Sequence, residues 1–349
     1  VKTREFTKEE AIELFEAAKG LNKIKPSEWI EENEVFGIKL PNQKGILFCS
    51  VLGKNKEAYG IELYEGAHGI ESYFKLVSKR YDLEEEKIYI KKCIRLTFED
   101  RKAISKDDYE LIKLSEVIFR GKNQWPKFEY LEPGFVPRGL TTEELFLMTD
   151  AIKAVKDCCL YLKINKDKTG LVKKNKCYVR EYDSNNNFKE VVVDIYEDIL
   201  ADLHKDRVIP KLYNDFDLNR LKSISSVTNK SWEIDFFYSF IPDGGENPYY
   251  PAILLIADVE KGVIIGSHTA HPNNMIEEFQ SFILSFIDKN KEIPSKITMS
   301  NIYLLISQEE LFRGLNVILR PTTKLNLIPI IKQDYFKLLV NKKLVEYKG

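Results

Sequence analysis

Residues 232–269 read WEIDFFYSFIPDGGENPYYPAILLIADVEKGVIIGSHT. Three apolar runs rich in β-branched and aromatic residues stand in this stretch, one opening at Trp232, PAILLIAD at 251–258 and GVIIGSHT at 262–269. Such runs, bounded by Gly, Pro, Asn and Asp, read as strands of one sheet. The last two are separated only by Asp258-Val-Glu-Lys-Gly262, a length and composition suited to a tight hairpin. The loop between the first two, Pro242 to Pro251, is rich in turn residues and carries Tyr249 and Tyr250.

Downstream, Asn274 and Glu277 open a helix with Ile276, Phe279, Phe282 or Ile283, and Phe286 or Ile287 on its inner face, and Pro294 is expected to follow its end. Lys296 to Tyr303 is predicted as a fourth strand. Ser307-Gln-Glu-Glu310 is predicted to cap a short helix ended by Gly314, NVILRPT (316–322) to be a fifth strand, and Ile330 to Val340 a last helix. The order is βββαβαβα. A three-strand meander followed by alternating helices and strands is the RNase H-like order, with the later strands parallel beside the first.

Upstream, Thr7-Lys-Glu-Glu10 and Thr141-Thr-Glu-Glu144 are capping boxes, and Ser105 with Asp108 starts a helix expected to run to Val117. VFGIKL (35–40), GILFCSVLG (45–53) and AYGIELY (58–64) read as an antiparallel meander, with a helix after Glu65-Gly-Ala-His-Gly69 covering one face. That turn lacks the GxGxxG and GKS/T patterns, and Glu65 would repel a phosphate, so its glycines are read as room for the backbone. Residues 123–140 are expected to form an irregular wrap. CYVREYD and FKEVVVDIY form a hairpin by pattern. The domain boundary is placed near Arg207 to Pro210, giving domains 1–208 and 209–349.

With 349 residues, 53 Lys+Arg and 54 Asp+Glu, the chain is long enough for two cores and nearly neutral. The molecule as a whole is not a polycation that would condense on nucleic acid or on an anionic membrane. A basic cluster, Lys163 to Lys176, has almost no aromatic residues to stack bases and reads as a solvated connector. Five cysteines lack CxxC spacing and read as reduced thiols. No apolar run approaches the roughly 20 residues of a membrane span, and VKTREFTKEE is too charged for a signal peptide, so a cytoplasmic location is expected. His268 and His271 in SHTAHPNN are the closely spaced histidines, and as zinc ligands they would need partners from elsewhere.

The second half, with an Asp on its first strand, the hairpin LLIADVEKGVIIG, a helix, IPSKITMSN and a further βα unit, resembles the core of retroviral-type integrases and DDE transposases. The resemblance implies carboxylates on the first strand, at the end of the fourth and on a later helix, clustered around two metal ions about 3.5–4 Å apart. Carried over, Asp235 matches the first acid, Ser300-Asn301 stands at the second, and Asp334 lies on the later helix. Asn301 brings an amide oxygen but no charge.

The whole chain also resembles a group of uncharacterised bacterial proteins built from two domains of unknown function. FGIKLPNQKGILFCSVLG, YGIELYEGAHGIESY and FIPDGGENPYYPAILLIADVEKGVIIGS carry that likeness.

The reading is thus a two-domain α+β protein, an N-terminal antiparallel meander with covering helices and a C-terminal RNase H-like mixed sheet. The expected function is a non-enzymatic module that binds a protein or small ligand at the cleft between the domains, without nucleic acid, membrane or cofactor. The alternative is an atypical metal-dependent nuclease using Mg²⁺ or Mn²⁺ at Asp235, Asn301 and Asp334. Asp235, flanked by apolar neighbours, is expected to be neutralised by a protein donor or a nearby Lys or Arg.

Overall fold

The computed structural model describes residues 6–41, 43–55, 58–77, 87, 89–185, 187–201, 211–245 and 247–346, with 338–346 described as backbone only. The chain divides into two compact units. One comprises Val1–Lys79, Ile90–Pro133 and Pro137–Arg207, the other Arg80–Tyr89, Gly134–Val136 and Val208–Gly349. The boundary expected at 208/209 lies outside the described residues.

In the first unit, helix α1 (Lys8–Ile24) precedes strands β1 (Phe36–Lys39), β2 (Leu47–Leu52) and β3 (Gly60–Glu65). Then follow α2 (Gly66–Val77), β4 (Cys93–Glu99), α3 (Lys106–Ser115), β5 (Trp125–Leu131), α4 (Thr142–Ile164), β6 (Lys176–Tyr182) and β7 (Phe188–Asp194). Thr7 and Thr141 make the expected reciprocal capping boxes with Glu10 and Glu144. Ser105 caps α3, which stops at Ser115 rather than Val117 because Glu116 adopts a left-handed conformation.

The strands form one seven-stranded sheet in the order β5-β4-β3-β2-β1-β6-β7. The expected three-strand meander is present, but the sheet is mixed, because β6 lies parallel to β1. A parallel neighbour requires a long crossover, and local turn signals reveal only antiparallel partners. The wrap expected over 123–140 contains β5, paired with β4 at seven successive positions. As an edge strand it tolerates Pro126, which has no N–H to donate. Leu14, Phe15 and Ala18 of α1 and Met148, Ile152 and Val155 of α4 pack in one core with Ile38, Cys49, Leu63, Ile94 and Phe128 of the sheet. All five cysteines are free and buried.

In the second unit, α5 (Asp215–Ile224) leads into β8 (Ser226–Tyr238), followed by β9 (Ala252–Asp258), β10 (Val263–Ala270) and α6 (Met275–Asn290). The chain continues through β11 (Glu292–Met299), α7 (Ile302–Gly314), β12 (Ile318–Pro321) and α8 (Ile328–Glu346). The sheet order is β10-β9-β8-β11-β12. The hairpin β9-β10 is antiparallel, β9 is antiparallel to β8, and β11 is parallel to β8 on its other edge and to β12.

Two boundaries differ from expectation for physical reasons. Pro294 follows the end of α6 as expected but already lies within β11, which begins at Glu292 rather than Lys296, and it sits at the register shift against β8. Tyr303 belongs to α7 and not to the strand: Asn301 accepts from the Tyr303 and Leu304 amides and starts the helix there. Ser307, expected as a cap, is buried in that helix with its hydroxyl donating to the Leu304 carbonyl.

The two faces of the β8 sheet are covered differently. Trp232, Ile234 and Tyr238 face a core with Phe279, Ile283 and Ile287 of α6 and Leu304, Leu311 and Phe312 of α7. Glu233, Asp235 and Phe237 alternate onto the opposite face. There Phe237, Leu255 and Ala257 pack with Ile328, Ile331 and Tyr335 of α8.

Candidate functional site

Asp235 sits near the C-terminal end of β8, beside the C-terminal end of its parallel neighbour β11. In open α/β sheets ligands bind at the carboxyl ends of strands, so this is where chemistry would be sought. The register pairing Glu233 with Thr298 brings Ser300 opposite Asp235 two residues on. Asp235 is only 5% exposed. One carboxylate oxygen accepts from the Phe236 amide at 2.8 Å. The other accepts from the Ser300 amide at 3.2 Å and from the Ser300 hydroxyl. Burial pushes the pKa from 3.8 up to about 6, while the Ser300 hydroxyl and the amides of Phe236, Ser300 and Asn301 hold it back. The donor to the carboxylate is therefore a serine and the backbone.

The other residues singled out by sequence do not join this carboxylate. The Asn301 side chain is the cap of α7. Asp334 is an exposed residue of α8, paired with Lys337 one turn on at 3.3 Å. His268 stacks on Phe282, ring centroids 5.0 Å apart, and approaches Glu278 at 3.3 Å. His271 instead packs against Tyr249, centroids 4.1 Å apart, and accepts from the Asn273 amide. Among the described residues no group of three or more His, Cys, Asp or Glu side chains is arranged to hold a metal ion.

A second carboxylate on the Asp235 face was not singled out by sequence. Glu233 is 2% exposed and accepts from the amides of Asn326 at 2.7 Å, Leu327 at 2.8 Å and Ile328 at 3.3 Å. These are the orphan donors of the start of α8, so the charge both satisfies them and meets the positive end of the helix dipole. Glu233 thereby anchors the helix that packs on this face of the sheet. The alternation of two acids in WEIDF was the available signal.

The first unit holds a charged row across three strands. Glu62, Arg95 and Glu129 are direct cross-strand partners on β3, β4 and β5. Arg95 binds Glu129 at 2.6 Å, Glu62 takes Lys91 at 2.5 Å and the Tyr64 hydroxyl at 2.6 Å, and Lys127 adds to Glu129 at 2.7 Å. Burial opposes ionisation of Glu62, but Lys91, Tyr64 and Arg95 outweigh it and hold its pKa below the usual carboxylate value. Charges inside the otherwise apolar strands GIELYE, CIRLTFE and WPKFEYL were legible, but the alignment of Glu62, Arg95 and Glu129 required the register.

The Glu65 to Gly69 turn is a packing device. Its Gly66 amide is engaged by the Ile46 carbonyl at 2.8 Å, and a Cβ on Gly69 would lie 2.5 Å from the Tyr64 carbonyl carbon. In the basic cluster, Lys168 pairs with Glu190 and Lys163 lies 4.5 Å from the centroid of the Trp29 ring. No helix among the described residues is long and apolar enough to cross a membrane.

Comparison with known families matches residues 12–180 to a Domain of unknown function (DUF7309) and residues 217–336 to a second Domain of unknown function (DUF6930). No curated protein and no solved structure matches the chain. The two matches fall one on each half of the α+β architecture described above.

Proposed function

We propose that the protein is a non-enzymatic ligand- or protein-binding module whose second unit is an RNase H-like core with its acid position turned to structural use. The RNase H-like reading is supported by the strand order β10-β9-β8-β11-β12, an antiparallel meander on one side of β8 and parallel strands on the other. The observation that carries the non-enzymatic reading is the set of groups on Asp235. Both carboxylate oxygens already accept hydrogen bonds, and the position matching the second acid supplies a donor, Ser300. A hydroxyl donating to a carboxylate competes with a cation for the same lone pairs. A two-metal site needs further carboxylates converging on the first, whereas Asn301 caps a helix and Asp334 pairs with Lys337.

The test is cleavage of single- and double-stranded DNA and RNA by the full chain with Mg²⁺ or Mn²⁺, beside Asp235→Ala. Equal background in both proteins is expected. Metal-dependent cleavage that disappears in Asp235→Ala would replace this reading with the nuclease.

A further inference from the structure

Leu63, Ile94 and Tyr130 are successive cross-strand partners on β3, β4 and β5, one step along from the Glu62 row and on the opposite face of the sheet. They line a cleft of about 220 Å³ together with Glu65, His68, Lys92 and Cys93. All seven residues belong to the first unit. Two residues beyond the last ladder pair, Leu63 with Ile94, Glu65 ends β3 and Lys92 immediately precedes β4, and alternation puts both on the Leu63 and Ile94 side of the sheet.

The two charges do not neutralise each other. Lys92 uses its backbone amide on the Ser72 hydroxyl at 3.1 Å, and no hydrogen bond or ion pair engages its ammonium or the Glu65 carboxylate among the described residues. The Tyr130 ring is packed under the Arg138 guanidinium, 4.2 Å from the centroid. Burial, reinforced by Glu132 and Glu144, pushes the Tyr130 phenol up to about 12, so its hydroxyl stays a donor at neutral pH. Cys93 is 3% exposed and burial raises its thiol well above the ordinary value, which makes it wall rather than nucleophile.

The size and the charges narrow the occupant. Pockets for drug-sized ligands run to about 300–1,000 Å³, so a cleft of this volume suits something near a single amino acid. A simple anion would face Glu65 and a simple cation would face Lys92. A ligand carrying both charges answers both, and since Leu63 and Ile94 are 0% and 2% exposed, the charges and the Tyr130 hydroxyl rather than an apolar floor would hold it. We propose that this cleft binds a small zwitterion of the amino-acid class, its carboxylate on Lys92 and the Tyr130 hydroxyl and its ammonium on Glu65. This deepens, and rests on, the reading of the protein as a binding module.

The experiment is isothermal titration calorimetry of the full chain with leucine, phenylalanine, glutamate and lysine, and with the N-acetyl and carboxamide derivatives of whichever binds most tightly. Binding of at least one free amino acid is expected, weakened at least tenfold by either derivative. Lys92→Met and Glu65→Gln, each with the circular dichroism of the wild type, are expected to weaken it to the same extent. For a variant that does not fold, the derivative lacking the corresponding charge stands in. Absence of binding by all four amino acids, equal binding of the N-acetyl or carboxamide form, or wild-type affinity in both folded variants overturns the proposal. None of these outcomes bears on Asp235, whose cleavage assay is read in the other unit.

Discussion

Replacing Asp235 by Asn removes one titration from the interior of the second unit. The carboxyl is 5% exposed, and burial raises its pKa from 3.8 to about 6 against the donors that lower it. That difference corresponds to about 3 kcal/mol of preference for the protonated form in the folded protein. Because the folded pKa lies above the unfolded one, the contribution is complete below pH 3.8, declines as pH rises to about 6, and is flat beyond. The assay is urea unfolding across this range, read from Trp232 in a background where Trp29 and Trp125 are Phe, so that the signal reports the second unit alone. The wild-type stability minus that of Asp235→Asn should fall by about 2 kcal/mol between about pH 4 and pH 7, the part of the transition lying within that window. Subtraction cancels the other titrating groups. A difference independent of pH would refute the buried, serine-bound carboxyl. One that grows with pH would mean that the ionised form is favoured, as a metal-binding carboxylate would be.

Glu233→Ala should destabilise the second unit by about 3 kcal/mol, since three amides lose a charged acceptor. Faster hydrogen exchange of the Asn326 and Leu327 amides is its direct readout, and unchanged exchange would sink the anchoring role. Gly60→Ala places a methyl carbon 1.9 Å from the Leu96 carbonyl oxygen, at a φ of 152°. A loss of about 3 kcal/mol or more is expected in thermal unfolding, and wild-type stability would contradict the register of β3 on β4. Arg95→Met should destabilise the first unit by about 2 kcal/mol, below the ~3–5 of a fully buried pair because Lys91 and Lys127 remain. Glu62 and Glu129 have lowered pKa values, so their stabilisation is present above the unfolded carboxyl pKa and lost as pH falls. The Arg95→Met loss should therefore shrink in acid, and a loss equal at neutral and acid pH would argue against the charged row.

Local chemistry determined much of what the sequence alone disclosed. Reciprocal capping at Thr7 and Thr141 and the hairpin around Gly262 depend on residues within one or two turns of each other, and the structure carries them. The six residues Ser226 to Ser231 of β8 were not legible, because a polar run without alternation becomes a strand only when β11 lies alongside to take its hydrogen bonds. The same holds for β5, where proline and aromatic residues suggested a loop until β4 supplied a full ladder. The site shows the distinction most plainly. Sequence marked Asp235 as an acid among apolar neighbours, and its chemistry follows from which groups meet it. Ser300 lies 65 positions further along the chain, and it reaches the carboxylate only because β11 runs parallel to β8. Glu233 likewise meets the start of α8, 93 to 95 positions away. A buried carboxylate takes its pKa and its role from its partners and its desolvation, and both are properties of the packed chain that composition and spacing do not contain.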